Sequence, residues 1–356
     1  MADQVLDAYA QRLREMGAIR SESVATAFAT VPRHLFLPRL GPLTDEVVRV
    51  VYTGDDAIVT RWANGVPTSS STQPSLMAKM LETLDLAPGH RVLEIGTGTG
   101  YNAALIATIT GAEVVSVDVQ PDVVEEARVA FERAGIGGVR AINGDGYLGY
   151  PAGKPYDRII ATCGVGGLAP AWLDQLAPDG RIVAPVYHGG FHPTIAAWRP
   201  VAGGELVGQP IVGSDFMIAP GPLHPGYVRA PEIAFDEPPV VYPYPFGQLD
   251  WSPYMHLWFA IAVAEPAANR RRVTGLTEVG DCALVDDAGL VLVQPDAIRA
   301  FGASPQLIDR TRSLVELWDR SGRPGLDRWT CRFDVDDGLY LPAGWRLGRE
   351  TLGAGV

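Results

Sequence analysis

At 356 residues, with 47% hydrophobic and 20% charged residues, the chain has the composition of an ordinary globular protein and enough length for two domains. Its net charge of −12 argues against binding to nucleic acid or to anionic membranes, since both need a basic face, and no apolar run reaches the roughly 20 residues of a membrane span. Three widely spaced cysteines and an acidic N-terminus without an apolar stretch predict a cytoplasmic protein with reduced thiols and no metal site.

The first 60 residues predict a helical segment. Apolar residues at helical spacing over 2–30 indicate two helices that are interrupted at Gly17. The second helix ends before Pro32, because a residue that precedes proline is disfavoured in the α conformation. A turn and a short strand are expected over 52–59.

A run of hydroxyl side chains over 68–75 precedes a predicted helix over 75–86. Pro74 stands where a helix favours proline, at its first residue. Hydroxyl groups at a helix N-terminus either bind an anion there or simply cap the helix. This stretch alone leaves both interpretations open.

A glycine-rich turn follows a predicted buried strand over 91–95, and a helix is expected after it from Tyr101. Its glycines are Gly96, Gly98 and Gly100. A dinucleotide-binding turn has the spacing G-x-G-x-x-G, whereas here the third glycine comes one residue early and an acid, Glu94, precedes the first. This pattern suits a ligand with a cationic amino group and no pyrophosphate, which is S-adenosylmethionine.

Strands and helices then alternate up to about residue 200. We predict helices over 103–108, 122–134 and 170–176, strands over 113–117, 139–143, 156–161 and 181–185, and an added edge strand over 194–198. Alternation of this kind predicts a parallel sheet with helices on both faces, which binds ligands beyond the carboxyl ends of its strands.

Three acids and a glycine-rich loop, 163–167, fall at such strand ends. Glu94 is expected to orient the glycine turn and to accept from the cofactor ammonium, Asp118 to accept from ribose hydroxyls, and Asp145 from the adenine amine. Each acid taken alone is more often a solvated loop carboxylate than a ligand-binding residue. Their succession at neighbouring strand ends favours a cofactor site and predicts methyl transfer.

The nucleophile is less clearly indicated. No Cys-His, Ser-His-Asp or metal-ligand spacing is present. An acceptor that is already ionised at neutral pH, such as a carboxylate with a pKa of about 3.9, needs no catalytic base. Ser70, Ser71, Thr72 and the N–H groups of 164–167 are candidate donors to that carboxylate.

The pattern changes after residue 204. Few elements are evident over 203–245, followed by a buried helix over 249–263, a hairpin over 282–293, an amphipathic helix over 305–320, and strands over 329–335 and 339–347. We predict two domains, a methyltransferase domain over 1–204 and a smaller α+β accessory domain over 205–356 that recognises a peptide substrate.

Residues from about 27 to 198 resemble the protein-L-isoaspartate O-methyltransferases. The resemblance rests on Ala29-Thr-Val-Pro-Arg-His-Leu-Phe36, Asp56-Ala-Ile58, Ser71-Thr-Gln-Pro74, 92–102, Gly144-Asp-Gly146, Tyr156-Asp157, and 173–181 with 183–186. It implies a class I Rossmann-like fold and the conversion of S-adenosylmethionine to S-adenosylhomocysteine. It also implies methylation of an isoaspartyl carboxylate, after which the ester collapses to a succinimide (aspartimide).

The resemblance further implies a set of site residues. The cofactor residues are Thr72, Glu94, Gly96, Thr97, Gly98, Tyr101, Asn102, Asp118, Val119, Gly144, Asp145 and Gly146; the catalytic residues are Ser71 and Thr72; the substrate residues are Arg33, His34, Ser70, Gln73, Gly164, Val165 and Gly166. A protein or peptide substrate is the implied partner.

The chain departs from the family pattern in three places. Thr72 stands where members usually have serine, the loop 163–167 is richer in glycine, and repair enzymes commonly lack the region after 204. Extended relatives that tailor ribosomally made peptides look similar, so tailoring of an aspartyl peptide is our first expectation. The alternatives are isoaspartyl repair, a cofactor-binding adaptor without catalysis, and methylation of a small molecule.

Overall fold

The computed structural model describes residues 2–37, 40, 43–200, 204–226, 232–277 and 279–348. The helices are α1 Ala2–Glu15, α2 Glu22–Thr30, α3 Asp45–Val48, α4 Pro74–Leu84, α5 Tyr101–Thr110, α6 Pro121–Ala134, α7 Pro170–Gln175, α8 Trp251–Ala264 and α9 Pro305–Arg320. The strands are β1 Ile58–Ala63, β2 Val66–Ser71, β3 Val92–Ile95, β4 Val114–Asp118, β5 Val139–Asn143, β6 Tyr156–Ala161, β7 Leu176–Pro185, β8 His192–Trp198, β9 Val207–Ser214, β10 Glu232–Ile233, β11 Val240–Pro243, β12 Asn269–Val273, β13 Asp281–Val285, β14 Leu290–Val293, β15 Ala297–Phe301, β16 Trp329–Asp336 and β17 Leu339–Leu347.

The main sheet has the strand order β17-β16-β9-β8-β7-β6-β3-β4-β5 within the described residues. The five strands β7, β6, β3, β4 and β5 run parallel, and β8, β9, β16 and β17 extend the sheet in antiparallel fashion. The predicted class I methyltransferase sheet is therefore confirmed.

Helices cover both faces of this sheet. Every residue of β3 and β4 is buried, and neighbouring residues belong to different cores: Val92 to the core that includes residues of α1, α2, α4, α5 and α6, and Leu93 to the core that includes residues of α7. Because side chains alternate along a strand, an uninterrupted apolar run is what a strand with two covered faces requires.

The predicted edge position of 194–198 is wrong. These residues belong to β8, which pairs with β7 on one side and with β9 on the other, and all seven of its residues are buried. The sequence of β9, Val-Gly-Gln-Pro-Ile-Val-Gly-Ser, contains two glycines and a proline, which are depleted in strands and conceal its pattern.

The C-terminal region forms a second sheet, of order β10-β12-β13-β14-β15-β11 within the described residues, with α8 and α9 packed against it. This confirms an additional α+β region. However, β16 leaves that region and pairs with β9 of the main sheet, Cys331 opposite Gly208. The main sheet thus crosses the predicted boundary at 204/205, and the domain division stays a prediction.

Within the described part of the chain, no helix combines the length and apolar character needed to cross a membrane. Cys163, Cys282 and Cys331 are free thiols.

Candidate active site

A cavity of about 1310 Å³ lies beyond the carboxyl ends of β3, β4 and β6. The hairpin of β1 and β2 and the start of α4 contribute one part of the lining, and the segment after β9, together with α8 and β12, contributes a second part. Of the predicted site residues it brings together Ser70, Thr72, Gln73, Gly96, Thr97, Gly98, Asn102, Asp118, Val119, Asp145 and Gly146.

The glycine turn lies in the floor of the cavity in a conformation that side chains rarely adopt. Gly96 has φ +95°, and a Cβ built there would lie 2.8 Å from Thr162 Oγ1. The Thr162 hydroxyl donates to the Gly96 carbonyl oxygen at 2.5 Å, so it fixes the turn from the neighbouring strand end. Positive φ and this close approach explain why glycine is needed at Gly96.

Glu94 lies beneath the turn and does not line the cavity. Its carboxylate accepts from Asn102 Nδ2 at 2.8 Å and from Ser116 Oγ at 2.5 Å, and Ser116 Oγ lies 2.7 Å from Thr97 Oγ1. Complete burial raises the pKa of Glu94 to about 7, although both donors oppose the shift. Glu94 therefore orients the turn, which is one of the two roles predicted for it.

Asp118 ends β4 and does line the cavity. Its carboxylate accepts from the backbone N–H of Gly98 at 3.2 Å and of Gln120 at 3.0 Å. Burial raises its pKa, and these N–H groups counteract that shift. The carboxylate thus links the glycine turn to the strand end where a ribose acceptor was predicted.

Asp145 lies at the next strand end, after β5. It also lines the cavity, and its carboxylate accepts from the N–H of Tyr147 at 2.9 Å. Beside it, a Cβ on Gly146 would lie 2.6 Å from Ile95 Cγ2, so the backbone at this position packs directly on β3. The two acids therefore converge on one rim, as the sequence predicts.

Arg33 was predicted to contact substrate, but it is fully buried and lies outside the cavity lining. Its guanidinium donates to Ser71 Oγ at 3.1 Å and to the carbonyl oxygens of Val51 and Thr72, each at 3.1 Å. Arg33 thus holds the end of β2, and Ser71, which is buried in this contact, does not reach the cavity. The half-buried Thr72 does reach it.

Gln73 and Ser75 converge on Asp55. The Asp55 carboxylate accepts from Gln73 Nε2 at 2.8 Å, from Ser75 N at 2.9 Å and from Ser75 Oγ at 2.6 Å. The start of α4 therefore has a carboxylate from a distant loop at its N-terminus, whereas the N-cap Gln73 makes no side-chain capping bond, so both interpretations of the hydroxyl run stay open.

The predicted donors of the loop 163–167 already have partners. The N–H groups of Gly164, Val165 and Gly166 donate to the carbonyl oxygens of Met217, Pro185 and Leu223 at 2.8–2.9 Å. These three residues lie outside the cavity lining, so their predicted role as carboxylate donors does not fit the geometry. Three other predicted site residues, His34, Tyr101 and Gly144, also lie outside the cavity lining. The Nδ1 atom of His34 instead lies 2.6 Å from Tyr52 Oη.

The sequence did not predict most of the second part of the cavity lining. It comprises Met217, Ile218 and Ala219 after β9, Trp251, Met255 and His256 of α8, and Arg270, Arg271 and Arg272 of β12. Only the aromatic density of α8 and the three consecutive arginines were visible signals, and neither contains a known motif. Thr162 and Ser116 were also missed, because their roles arise from contacts between strands.

A profile of the family described as "Protein-L-isoaspartate(D-aspartate) O-methyltransferase" matches residues 6–210. The chain belongs to this family. A protein-L-isoaspartate O-methyltransferase of Thermotoga maritima is 40% identical over 168 residues, which are 47% of this chain and 51% of that protein. One of Pyrococcus horikoshii is 38% identical over 183 residues, 51% of this chain and 76% of that protein. The match thus spans about half of the length of the Thermotoga relative.

A solved structure titled protein-L-isoaspartate O-methyltransferase covers 96% of this chain and 99% of its own, with 26% identity and a TM-score of 0.57. The region after residue 204 therefore has a counterpart in a family member with that title. Our expectation of peptide tailoring rested on that region, and this comparison removes its main support.

The cofactor of this family is S-adenosylmethionine, and the residues around the glycine turn fit it. Gly96 and Gly98 present backbone without side chains, and Asp118 supplies a carboxylate acceptor. Asn102 Oδ1 is buried and has no hydrogen-bond partner among the described residues. An acceptor of this kind suits a ligand ammonium group, because an unpaired buried polar atom is costly.

Proposed function

We propose that the protein is an S-adenosylmethionine-dependent carboxyl O-methyltransferase that acts on isoaspartyl residues of proteins or peptides. This is the repair activity, the alternative to peptide tailoring. Family membership supports it, and so does the counterpart of the C-terminal region in a family member of that title. Three free cysteines suit a reducing compartment, and the cytoplasm is the proposed location.

The observation that carries the proposal is the contact between the end of β2 and the glycine turn. A Cβ on Gly98 would lie 3.4 Å from the Ser70 carbonyl oxygen, and Gln120 Nε2 donates to the Thr68 carbonyl oxygen at 3.0 Å. The hydroxyl groups of Ser70 and Thr72 therefore border the same space as the cofactor turn. They are suited to donate to an acceptor carboxylate there.

The main task of the chain is to align the methyl group of the cofactor with the substrate carboxylate, and proton transfer matters less. When bound, S-adenosylmethionine supplies an electrophilic methyl group on a sulfonium. That methyl group would pass to a carboxylate oxygen of the substrate, with the electron pair of the carbon–sulfur bond left on sulfur, and the glycine turn with Asn102 and Asp118 would hold the cofactor. The isoaspartyl carboxylate is ionised at neutral pH, so Thr72 only has to orient it. Positioning of this kind accounts for a large part of many rate enhancements.

The test is mass spectrometry of an isoaspartyl peptide, the matching aspartyl peptide and a macrocyclic aspartyl peptide, each incubated with enzyme and cofactor. We expect methylation of the isoaspartyl peptide alone, followed by its succinimide. Thr72→Ala should lower kcat by roughly 10–100-fold through loss of alignment of the carboxylate, while Ser23→Ala, at an exposed position of α2, should not change it. Methylation confined to the macrocycle would restore the tailoring hypothesis, and calorimetric binding of cofactor without methylation of any of the three peptides would favour a cofactor-binding adaptor.

A further inference from the structure

The strand β12 contributes three consecutive arginines, Arg270, Arg271 and Arg272, to the lining of the same cavity as the glycine turn and Thr72. The whole chain carries 41 acidic and 29 basic residues, so a row of cations at its main cavity runs against the overall charge. The protein as a whole does not attract an anionic ligand over long range, because its net charge is negative, so these arginines act at short range.

Two of the three charges are balanced by carboxylates. Arg270 Nη1 lies 2.7 Å from Asp215 Oδ2, and Arg272 Nη2 lies 3.5 Å from Glu232 Oε2. Among the described residues, no carboxylate lies within ion-pair distance of Arg271, which donates to the backbone oxygen of Arg270 at 2.9 Å. In addition, the Nε atoms of Arg270 and Arg272 are buried without a partner in the described chain. The lining therefore includes one arginine outside any direct ion pair, although Asp281 is its cross-strand neighbour, and two buried Nε donors without a partner in the described chain.

The cavity has room for more than a cofactor. Sites for small molecules typically have volumes of about 300–1,000 Å³, and this one has about 1310 Å³. Its rim includes Trp251, which is 65% exposed, and Val279, which is 59% exposed. Exposed aromatic and apolar side chains around a polar cavity are typical of a surface that binds a polypeptide.

We propose that the arginine wall of β12, and Arg271 above all, binds acidic side chains that flank the acceptor residue in the polypeptide substrate. The enzyme then prefers isoaspartyl residues in acidic segments. Arg271 is a specificity-determining residue in this proposal, because it contacts the flanking chain and not the reacting carboxylate. The inference rests on the proposed isoaspartyl activity for its kinetic test, and a separate binding test does not need that activity.

The kinetic test compares two isoaspartyl peptides that differ only in flanking residues, two glutamates against two glutamines. We expect wild type to favour the acidic peptide about 5–20-fold in kcat/KM, chiefly through KM. Arg271→Gln should reduce that preference by about 3–10-fold, Arg271→Lys should retain part of it, and Arg271→Glu should invert it. The control is Arg312→Gln on α9, a half-exposed arginine outside the cavity lining, which should leave the preference unchanged.

The binding test measures the affinity of both peptides by calorimetry with S-adenosylhomocysteine present. The acidic peptide should bind more tightly, by a margin that shrinks as salt rises, and Arg271→Gln should not alter the affinity for S-adenosylhomocysteine. Equal affinity of the two peptides would overturn the inference, as would an equal loss of kcat on both, which would assign Arg271 to the reacting carboxylate. Failure to methylate either peptide, with preferential binding intact, would instead reject the proposed function alone.

Discussion

The Glu94→Gln substitution tests the buried network beneath the glycine turn. Glutamine matches the shape of glutamate and fits the existing partners. Its carbonyl oxygen accepts from the Asn102 amide, and its amide donates to Ser116 Oγ, which then donates to Thr97. Because Nε2 carries two N–H groups and only Ser116 Oγ accepts from it, one buried N–H stays unpaired, and we expect the variant to be about 1–3 kcal/mol less stable than wild type at about pH 5.

The difference between the free energies of unfolding of the two proteins should change as pH rises. In the folded state burial raises the pKa of Glu94 from 4.5 to about 7, so the folded carboxyl keeps its proton while the unfolded one ionises. Stability that is present below pH 4.5 is therefore lost progressively up to about pH 7. At about 1.4 kcal/mol for each pH unit, wild type should lose about 2–3 kcal/mol relative to Glu94→Gln between about pH 5 and about pH 8.

The assay is urea unfolding of both proteins at several pH values, followed by tryptophan fluorescence. All other titrating groups are shared, so the difference between the two free energies of unfolding isolates Glu94. A difference that is constant across this pH range would refute the argument that burial holds this carboxyl protonated.

Three further substitutions test other contacts of the site. Gly96→Ala should lower the free energy of unfolding by about 2–4 kcal/mol, because position 96 combines positive φ with a 2.8 Å approach to a hydroxyl. The control Gly89→Ala, with φ +86° and open space, should lower it by only about 1–2 kcal/mol. Equal losses for the two variants in urea unfolding would contradict this. Asp118→Asn should weaken cofactor binding about 10-fold by calorimetry, because asparagine keeps only one of the two acceptor oxygens. Unchanged affinity would reject the predicted ribose contact. Arg33→Met should cost about 3 kcal/mol in urea unfolding by leaving buried carbonyl oxygens unpaired, and an unaltered midpoint would argue against Arg33 as the anchor of β2.

The parts of the site that the sequence predicts well are those with local signals. Buried parallel strands are continuous apolar runs, and a carboxylate just after such a run must lie at the ligand-binding edge, which places Asp118 and Asp145 correctly. Glycine spacing likewise locates the turn at Gly96. The helix over 305–320 was predicted to the residue, because Ser304 caps it and Pro305 begins it.

The remaining parts depend on contacts between distant segments. Nothing local distinguishes an arginine that binds substrate from Arg33, which is buried against the backbone of β2 and the segment before β1. The N–H groups of Gly164 and Gly166 look available until the segment 217–223 is placed against them, and that of Val165 until β7 is placed beside it. The arginines of β12 gain meaning only because the C-terminal sheet places them in the lining of the same cavity as the glycine turn.

The pairing of β16 with β9 has a consequence for how the chain is made. Gly208 of β9 meets Cys331 of β16, so roughly 120 residues must be synthesised after β9 before its free edge is covered. During translation the methyltransferase strands therefore emerge with an unpaired edge, which is a template for association with other chains. A ribosome that stalls within the second sheet leaves this edge uncovered, and we expect chains truncated before residue 329 to aggregate even though every residue of the glycine turn is present.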